Sequence, residues 1–116
     1  MLVDDNSDIL DLLKVLITPS CDVVGLVTDG LAVLDSVKRL KPEVVVLDIS
    51  MPKVSGFDIC REIKRTSPET KVIFLTAFAD DEMRNLALSF GAAALIAKSS
   101  ADELLNVLHC VSQAND

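Results

Sequence analysis

Five polar residues follow apolar runs that are rich in Val, Leu and Ile: Asp4, Asp5, Asp48, Thr76 and Lys98. Three of them are carboxylates, which repel one another at short range and therefore favour a bound cation. Carboxylate oxygens together with water suit Mg²⁺, a metal that also accepts phosphate oxygens. A threonine hydroxyl and a lysine ammonium group can hold further phosphoryl oxygens. The residue types therefore predict a magnesium site with phosphoryl chemistry, provided that the fold brings them together.

Two interpretations of Asp48 remain open at this point. Its carboxylate can attack a phosphorus atom and form an aspartyl phosphate, a reaction that asks a protein mainly for positioning and charge neutralisation. Alternatively, it forms a structural ion pair with Lys98. Asp4 or Asp5, taken alone, is also a plausible cap for a helix that begins near residues 6–8.

The elements that must position these residues alternate along the chain. Runs rich in β-branched residues predict five strands, at 1–3, 23–27, 44–47, 72–75 and 93–96. Apolar residues at helical spacing predict five helices, with stripes at 9–17, 31–40, 57–63, 83–90 and 104–111. This alternation predicts an α/β fold whose parallel sheet is covered on both faces. Ligands bind at the carboxyl ends of such strands, which is where the polar residues lie.

Composition excludes several classes of protein. The 116 residues carry a net charge of −7 and no Trp or Tyr, which argues against nucleic-acid binding by this chain. Three cysteines without a CxxC pair predict neither a zinc site nor a disulfide framework, and we expect Cys60 and Cys110 to be buried, inert thiols. No apolar run is long enough to span a membrane, and no signal peptide is recognisable. We expect one cytoplasmic domain over 1–116.

Four motifs resemble the receiver domain of two-component response regulators over essentially the whole chain. They are LVDD at 2–5, VLDISMPKVSG at 46–56, FLTA at 74–77 and GAAALIAK at 91–98. The resemblance implies a doubly wound, flavodoxin-like sheet of five parallel strands in the order 2-1-3-4-5, with five flanking helices. It also implies that Gly56 serves a backbone turn before the third helix.

The resemblance implies specific roles for the polar residues. Asp48 is the phosphoacceptor, Thr76 a switch hydroxyl and Lys98 a phosphate-pairing lysine. The implied Mg²⁺ ligands are Asp5 and Asp48, Asp4 through water, and the backbone carbonyl of Ser50. The chain departs from the common family pattern at three positions. Leu95 stands where an aromatic residue is frequent, Ser99 where Pro often follows the lysine, and Phe78 is bulky two residues beyond Thr76.

These roles predict a signalling switch without turnover of an external substrate. A sensor histidine kinase, a phosphotransfer protein or a small phosphodonor supplies the phosphoryl group. The alternative is a pseudo-receiver, an interaction module that is not phosphorylated. An aspartate-nucleophile phosphatase is disfavoured, because such enzymes commonly place a second aspartate two residues after the nucleophile, where this chain has Ser50.

Residues 91–105 are most similar to receivers joined to a helix-turn-helix output domain, and we expect that domain to lie outside this chain. The alternatives are a stand-alone receiver and a receiver that belongs to a larger sensor kinase. The first predicted strand has only three residues before Asp4, which indicates a truncated start. Two surfaces are candidate homodimer interfaces: the fourth helix, fifth strand and fifth helix, or the first and fifth helices. We expect no direct contact with nucleic acid and none with a membrane.

Overall fold

A computed structural model describes residues 1–113. Strands and helices alternate in the order β1 Leu2–Val3, α1 Ser7–Ile17, β2 Leu26–Val27, α2 Val33–Leu40, β3 Val44–Asp48, α3 Gly56–Thr66, β4 Lys71–Thr76, α4 Asp81–Ser89, β5 Ala94–Ala97 and α5 Ala101–Gln113. A single 3₁₀ turn, Gly30–Ala32, precedes α2. No helix among the described residues is long and apolar enough to cross a membrane.

The five strands form one parallel sheet in the order β2-β1-β3-β4-β5. This is the architecture that the alternating pattern and the family motifs predict. Val3 lies opposite Leu47, so the residues that follow β1 reach the same edge as the end of β3. The strand order reverses between β1 and β3, and such a reversal opens a crevice at the carboxyl ends of the strands.

Two aliphatic cores lie on the two faces of the sheet. Within β3, Val45 and Leu47 pack into the core beneath α2, α3 and α4, whereas Val46 packs into the core beneath α1 and α5. Successive strand residues point to opposite faces, so a strand covered on both sides must be apolar throughout. This double coverage explains why the run that leads to Asp48 contains no polar residue.

The second strand is shorter than predicted, since it spans Leu26–Val27 instead of 23–27. Its one neighbour is β1, which offers only Leu2 and Val3 for pairing. β2 is an edge strand, and Val24 and Leu26 are exposed there. Periodicity alone could not reveal that the partner strand is so short.

The three cysteines are free thiols. Cys60 is buried as predicted, and burial raises the pKa of its thiol to about 11. The prediction was wrong for Cys110, which is exposed. Leu104 and Leu108 face the core from α5, and residue 110 lies outside that buried stripe at helical spacing.

Candidate functional site

Three carboxylates converge at the carboxyl end of the sheet. One oxygen from each of Asp4, Asp5 and Asp48 lies within 4.8 Å of the others. Asp4 and Asp48 are buried, with 1% and 2% of their surface exposed, whereas Asp5 faces solvent. Asp48 is the last residue of β3, and Asp4 directly follows the paired strand β1. The register of the sheet thus creates the cluster that the spacing along the chain conceals.

Asp4 is held by the turn that leads into α1. Its Oδ1 accepts a hydrogen bond from the Asn6 backbone N–H at 2.9 Å. The side chain of Asn6 in turn accepts from the N–H groups of Asp8 and Ile9, so Asn6 is the N-cap of α1. The alternative that Asp4 or Asp5 caps this helix is therefore wrong. Neither carboxylate is the helix cap, so both can act as ligands in the pocket.

Lys98 supplies the positive charge of the pocket. Its Nζ lies 3.0 Å from Asp4 Oδ2 and 3.3 Å from Asp48 Oδ2. The backbone N–H of Lys98 donates to the carbonyl of Thr76 at 2.7 Å, which extends the pairing of β4 with β5 by one residue. The predicted Asp48–Lys98 ion pair is therefore present, together with an Asp4–Lys98 contact that the sequence did not indicate.

Burial and charge act against each other on these groups. Burial raises the pKa of Asp48 and the nearby Asp4 charge raises it too, whereas the Ser50 N–H and Lys98 lower it; the net result is a raised pKa. Partial burial lowers the pKa of Lys98, but contact with Asp4 and the charges of Asp48 and Asp4 outweigh it and raise that pKa. The pocket therefore keeps Lys98 protonated, whereas burial opposes the ionisation of Asp48 more strongly than Lys98 and the Ser50 N–H favour it.

Thr76 ends β4 beside this pocket and is buried. Its hydroxyl donates to the Phe78 carbonyl at 3.2 Å and accepts from the Phe78 N–H at 3.3 Å. The hydroxyl is thus engaged with the loop that leads to α4. The ring of Phe78 projects into solvent with 73% of its surface exposed.

The loop between β3 and α3 also contributes to the site. The Ser50 N–H donates to Asp48 Oδ1 at 3.1 Å and fixes one oxygen of the carboxylate. Gly56, the first residue of α3, packs against the backbone, since an added Cβ would lie 3.0 Å from Ile49 Cα and 3.2 Å from the Asp48 carbonyl oxygen. Close approach of two backbone segments, and not the expected turn, is what requires a glycine here.

The donor set fits Mg²⁺. The three carboxylates offer hard oxygen ligands, the type that Mg²⁺ prefers. Asp4 Oδ2 is buried and has no well-directed hydrogen bond, although Lys98 Nζ lies nearby. A buried carboxylate oxygen without such a partner is costly, and a divalent cation would satisfy it. The part of Ser50 as a carbonyl ligand stays a prediction.

Sequence reasoning missed three features of the site. The Asn6 cap had a recognisable signal, because Asn is among the preferred N-cap residues. The Asp4–Lys98 contact had none, because strand order brings several carboxylates to the same edge and residue types do not say which of them the lysine contacts. The Phe78 carbonyl had none either, since backbone acceptors do not depend on residue type.

Two positions that depart from the common family pattern have a defined geometry. Leu95 is buried in the same core cluster as Phe74, Ala87 and Ala92 and so points inward. The Lys98–Ser99 peptide bond is trans.

Many known proteins match this chain in sequence or in fold. The family model described as the response regulator receiver domain matches residues 1–109. The transcriptional regulatory protein CreB of Escherichia coli K12 is 36% identical over 97 residues, which cover 84% of this chain and 42% of that protein. The chemotaxis protein CheY of Thermotoga maritima is 34% identical over 99 residues, which cover 84% of this chain and 82% of CheY.

Solved structures agree with these relatives. The signal receiver domain of the response regulator NarL from Mycobacterium tuberculosis superposes with a TM-score of 0.86 at 28% identity, covering 96% of this chain and 93% of that one. The extent of the family match and the coverage of CheY establish the class of protein. The chain belongs to the response regulator receiver domain family, and it spans less than half the length of CreB.

Proposed function

We propose that this receiver domain accepts a phosphoryl group on Asp48 and uses it as a signalling switch. The observation that carries the proposal is the arrangement around Asp48. Its carboxylate lies at the end of β3, 3.3 Å from the ammonium group of Lys98 and within 4.8 Å of two further carboxylates. A structural ion pair alone would not need Asp4 and Asp5 at the same place.

The chemical step is a phosphoryl transfer. An oxygen of Asp48 forms a bond to phosphorus, while the bond from phosphorus to the leaving group breaks and its electron pair stays with that group. The donor is a phosphohistidine of a sensor kinase or phosphotransfer protein, or an acyl phosphate. Ser50 N–H holds Asp48 Oδ1, so the carboxylate is oriented before the donor arrives.

The residues around Asp48 stabilise the product. Asp5, Asp48, the carbonyl of Ser50 and, through water, Asp4 would hold a Mg²⁺, which would supply charge neutralisation for the phosphoryl oxygens. Lys98 pairs with another oxygen as a point charge. Thr76 exchanges its hydrogen bond to the Phe78 carbonyl for one to the phosphoryl group, and this moves the loop before α4.

Phosphorylation by a small donor tests the proposal. The chain is incubated with acetyl phosphate and Mg²⁺, and its intact mass is compared with those of Asp48→Asn and of a sample in EDTA. Asn keeps the shape of Asp but cannot form an acyl phosphate. We expect one added phosphoryl group that needs both Mg²⁺ and Asp48. Equal labelling of Asp48→Asn would refute the assignment, and no labelling at all would favour the pseudo-receiver.

The pseudo-receiver remains the second candidate, because the strand β1 that leads to Asp4 has only two residues. It predicts the same fold and partner surfaces without phosphorylation. Failure of the chain to gain a phosphoryl group under conditions that label a working receiver domain would favour it.

Output and partners complete the proposal. CreB is a transcriptional regulator by name, and the chain covers 42% of it, so we infer a helix-turn-helix output domain beyond this chain in a cytoplasmic regulator. Two surfaces are candidates for a homodimer interface. Leu86 and Leu88 are exposed on α4, beside β5, and Leu12 and Val15 are exposed on α1, beside α5. Light scattering with a phosphoryl analogue, comparing Leu88→Ser with Val15→Ser, separates the two.

A further inference from the structure

Gly30, in the turn between β2 and α2, packs against the loop that follows Asp48. We propose that Gly30 is a positioning residue for that loop, residues 49–55, and that its missing side chain lets the loop hold Asp48 in place. The inference deepens the proposed function and rests on it, because the loop belongs to the same pocket. It adds to the site a residue from a different connection of the fold.

The space beside Gly30 is filled by side chains of this loop. A Cβ added to Gly30 would overlap Val54 Cγ2 and would lie 3.4 Å from Met51 Cε. Gly30 is buried and is not among the residues with positive φ, so lack of room, and not backbone conformation, requires a glycine here. Val54 is β-branched and therefore stiff at χ1. Its methyl group cannot swing aside at low cost, so an added Cβ would push on the loop itself.

The turn that carries Gly30 is held more firmly than the loop. Asp29 Oδ1 accepts a hydrogen bond from the Leu31 N–H at 2.9 Å, and the Ala32 N–H donates to the Asp29 carbonyl at 3.0 Å. In the loop, by contrast, no N–H of residues 51–54 donates to a backbone carbonyl of another described residue. We therefore expect a clash at Gly30 to displace the loop and not the turn.

The loop has a backbone conformation that depends on its contacts. Lys53 has a φ of 73°, in the left-handed region that residues other than glycine rarely adopt. Such a conformation persists only where the surrounding structure fixes it. Met51 and Val54, on either side of Lys53, fill the space beside Gly30. The contact with Gly30 thus helps to hold the loop in a shape that it would otherwise leave.

This loop carries the group that orients Asp48. The Ser50 N–H donates to Asp48 Oδ1 at 3.1 Å, and Ser50 directly precedes Met51 in the chain. Displacement of the loop would disturb this hydrogen bond, and with it a carboxylate of the cluster that could hold a metal ion. Replacing a residue that orients a metal ligand typically lowers metal affinity by about 10–100-fold.

Gly30→Ala tests the positioning role with one readout that needs no metal. In the metal-free protein, ¹H–¹⁵N NMR follows the backbone amide of Ser50, and calorimetric titration then measures the affinity for Mg²⁺. We expect Gly30→Ala to shift the Ser50 resonance and to weaken Mg²⁺ binding about tenfold.

Gly25→Ala is the matched control. Its added Cβ would lie 2.8 Å from Leu40 Cδ1, so the control also introduces a close contact. Gly25 precedes β2 and therefore lies at the opposite end of the sheet from the carboxylates. We expect Gly25→Ala to leave the Ser50 resonance and the Mg²⁺ affinity unchanged even where it lowers stability.

Rescue by a second substitution distinguishes a displaced loop from a general loss of stability. Val54→Ala removes the methyl group that the added Cβ would overlap, and the remaining Val54 Cβ lies 3.6 Å from it, an ordinary contact. We expect Gly30→Ala/Val54→Ala to recover the Ser50 resonance and the Mg²⁺ affinity of Val54→Ala alone, so the two substitutions are non-additive. If Gly30→Ala does not fold, the rescue appears as a folded NMR spectrum of the double variant.

The outcomes separate this inference from the proposed function. The positioning role is overturned by an unchanged Ser50 resonance in Gly30→Ala, by Mg²⁺ binding as tight as in wild type, by an equal effect of Gly25→Ala, or by a double variant that recovers nothing. Mg²⁺-dependent labelling of Asp48 would in each case leave the proposed function standing. A shifted and rescued Ser50 resonance supports the positioning role even if wild type neither binds Mg²⁺ nor is labelled.

Discussion

Replacing Lys98 by Met in the metal-free protein should reveal how much the pocket depends on its internal cation. The substitution leaves Asp4 and Asp48 buried together without the ammonium group that lies within 3.3 Å of both. Removing one partner of a buried ion pair costs about 3–5 kcal/mol. Lys98 is 26% exposed, so water already shares in screening these charges, and we expect a loss of about 2 kcal/mol.

Urea denaturation in EDTA at pH 7.5 measures this loss. Far-UV circular dichroism is the suitable signal, because the chain has no Trp and no Tyr. A loss of about 2 kcal/mol corresponds to a melting temperature lower by roughly 8 °C for a domain of this size. Lys53→Met provides the control for removing an exposed lysine near the same loop.

A double-mutant cycle tests whether the loss of stability in Lys98→Met comes from its contact with Asp48. In the Asp48→Asn background one carboxylate is already neutral, so Lys98→Met should cost less there, by about 1 kcal/mol. The reasoning is refuted if Lys98→Met stays within about 0.5 kcal/mol of wild type, the size typical of a surface substitution. It is equally refuted if the loss is the same in both backgrounds.

Three further predictions concern other groups. Asp48→Asn should stabilise the metal-free protein by about 1 kcal/mol at pH 7.5. Because the folded pKa of Asp48 is raised above 3.8, its ionisation costs stability as pH rises through that value, so urea denaturation should show the advantage shrinking towards acid pH. Gly56→Ala should lower stability by about 1–3 kcal/mol, because its Cβ would meet Ile49 Cα at 3.0 Å; thermal denaturation measures it. Native alkylation at pH 8, followed by mass spectrometry, should modify Cys110 and spare Cys60, whose pKa is about 11.

Contrary results would be informative for each. If the stability advantage of Asp48→Asn over wild type grew as pH falls, ionisation of Asp48 would stabilise the folded protein instead of destabilising it. A neutral Gly56→Ala would mean that the start of α3 can move away from β3. Alkylation of Cys60 at the rate of Cys110 would mean that the core beneath α3 opens readily.

Sequence patterns predicted the architecture well because both faces of this sheet are covered. The run from Val44 to Leu47 is apolar throughout, and such a run is typical of a buried parallel strand. Patterns failed where the outcome depended on a neighbour. β2 stops early because β1 offers two residues for pairing, and Leu12 is 60% exposed because no other described element covers that side of α1.

The sequence predicted which residues meet at the site, but not which atoms contact one another. Asp48 and Lys98 end or follow strands, and the ends of parallel strands meet at one edge, so their convergence follows from topology. Which oxygen each side chain contacts depends on distances of a few tenths of an ångström, and no pattern of residue types encodes these. The pairing of Lys98 with Asp4 therefore had to come from the structure.

The pairing of Lys98 with Asp4 and Asp48 determines the balance of charge in the pocket. Two buried carboxylates share one ammonium group, and the exposed Asp5 adds a third negative charge at the rim. Burial makes each uncompensated charge expensive, yet a pocket fully neutralised by lysines would offer nothing for a metal to bind. The chain instead keeps one internal cation too few. We infer that this shortage would favour a divalent cation in the pocket, and that the proposed phosphoryl group would need such a cation to offset its added negative charge.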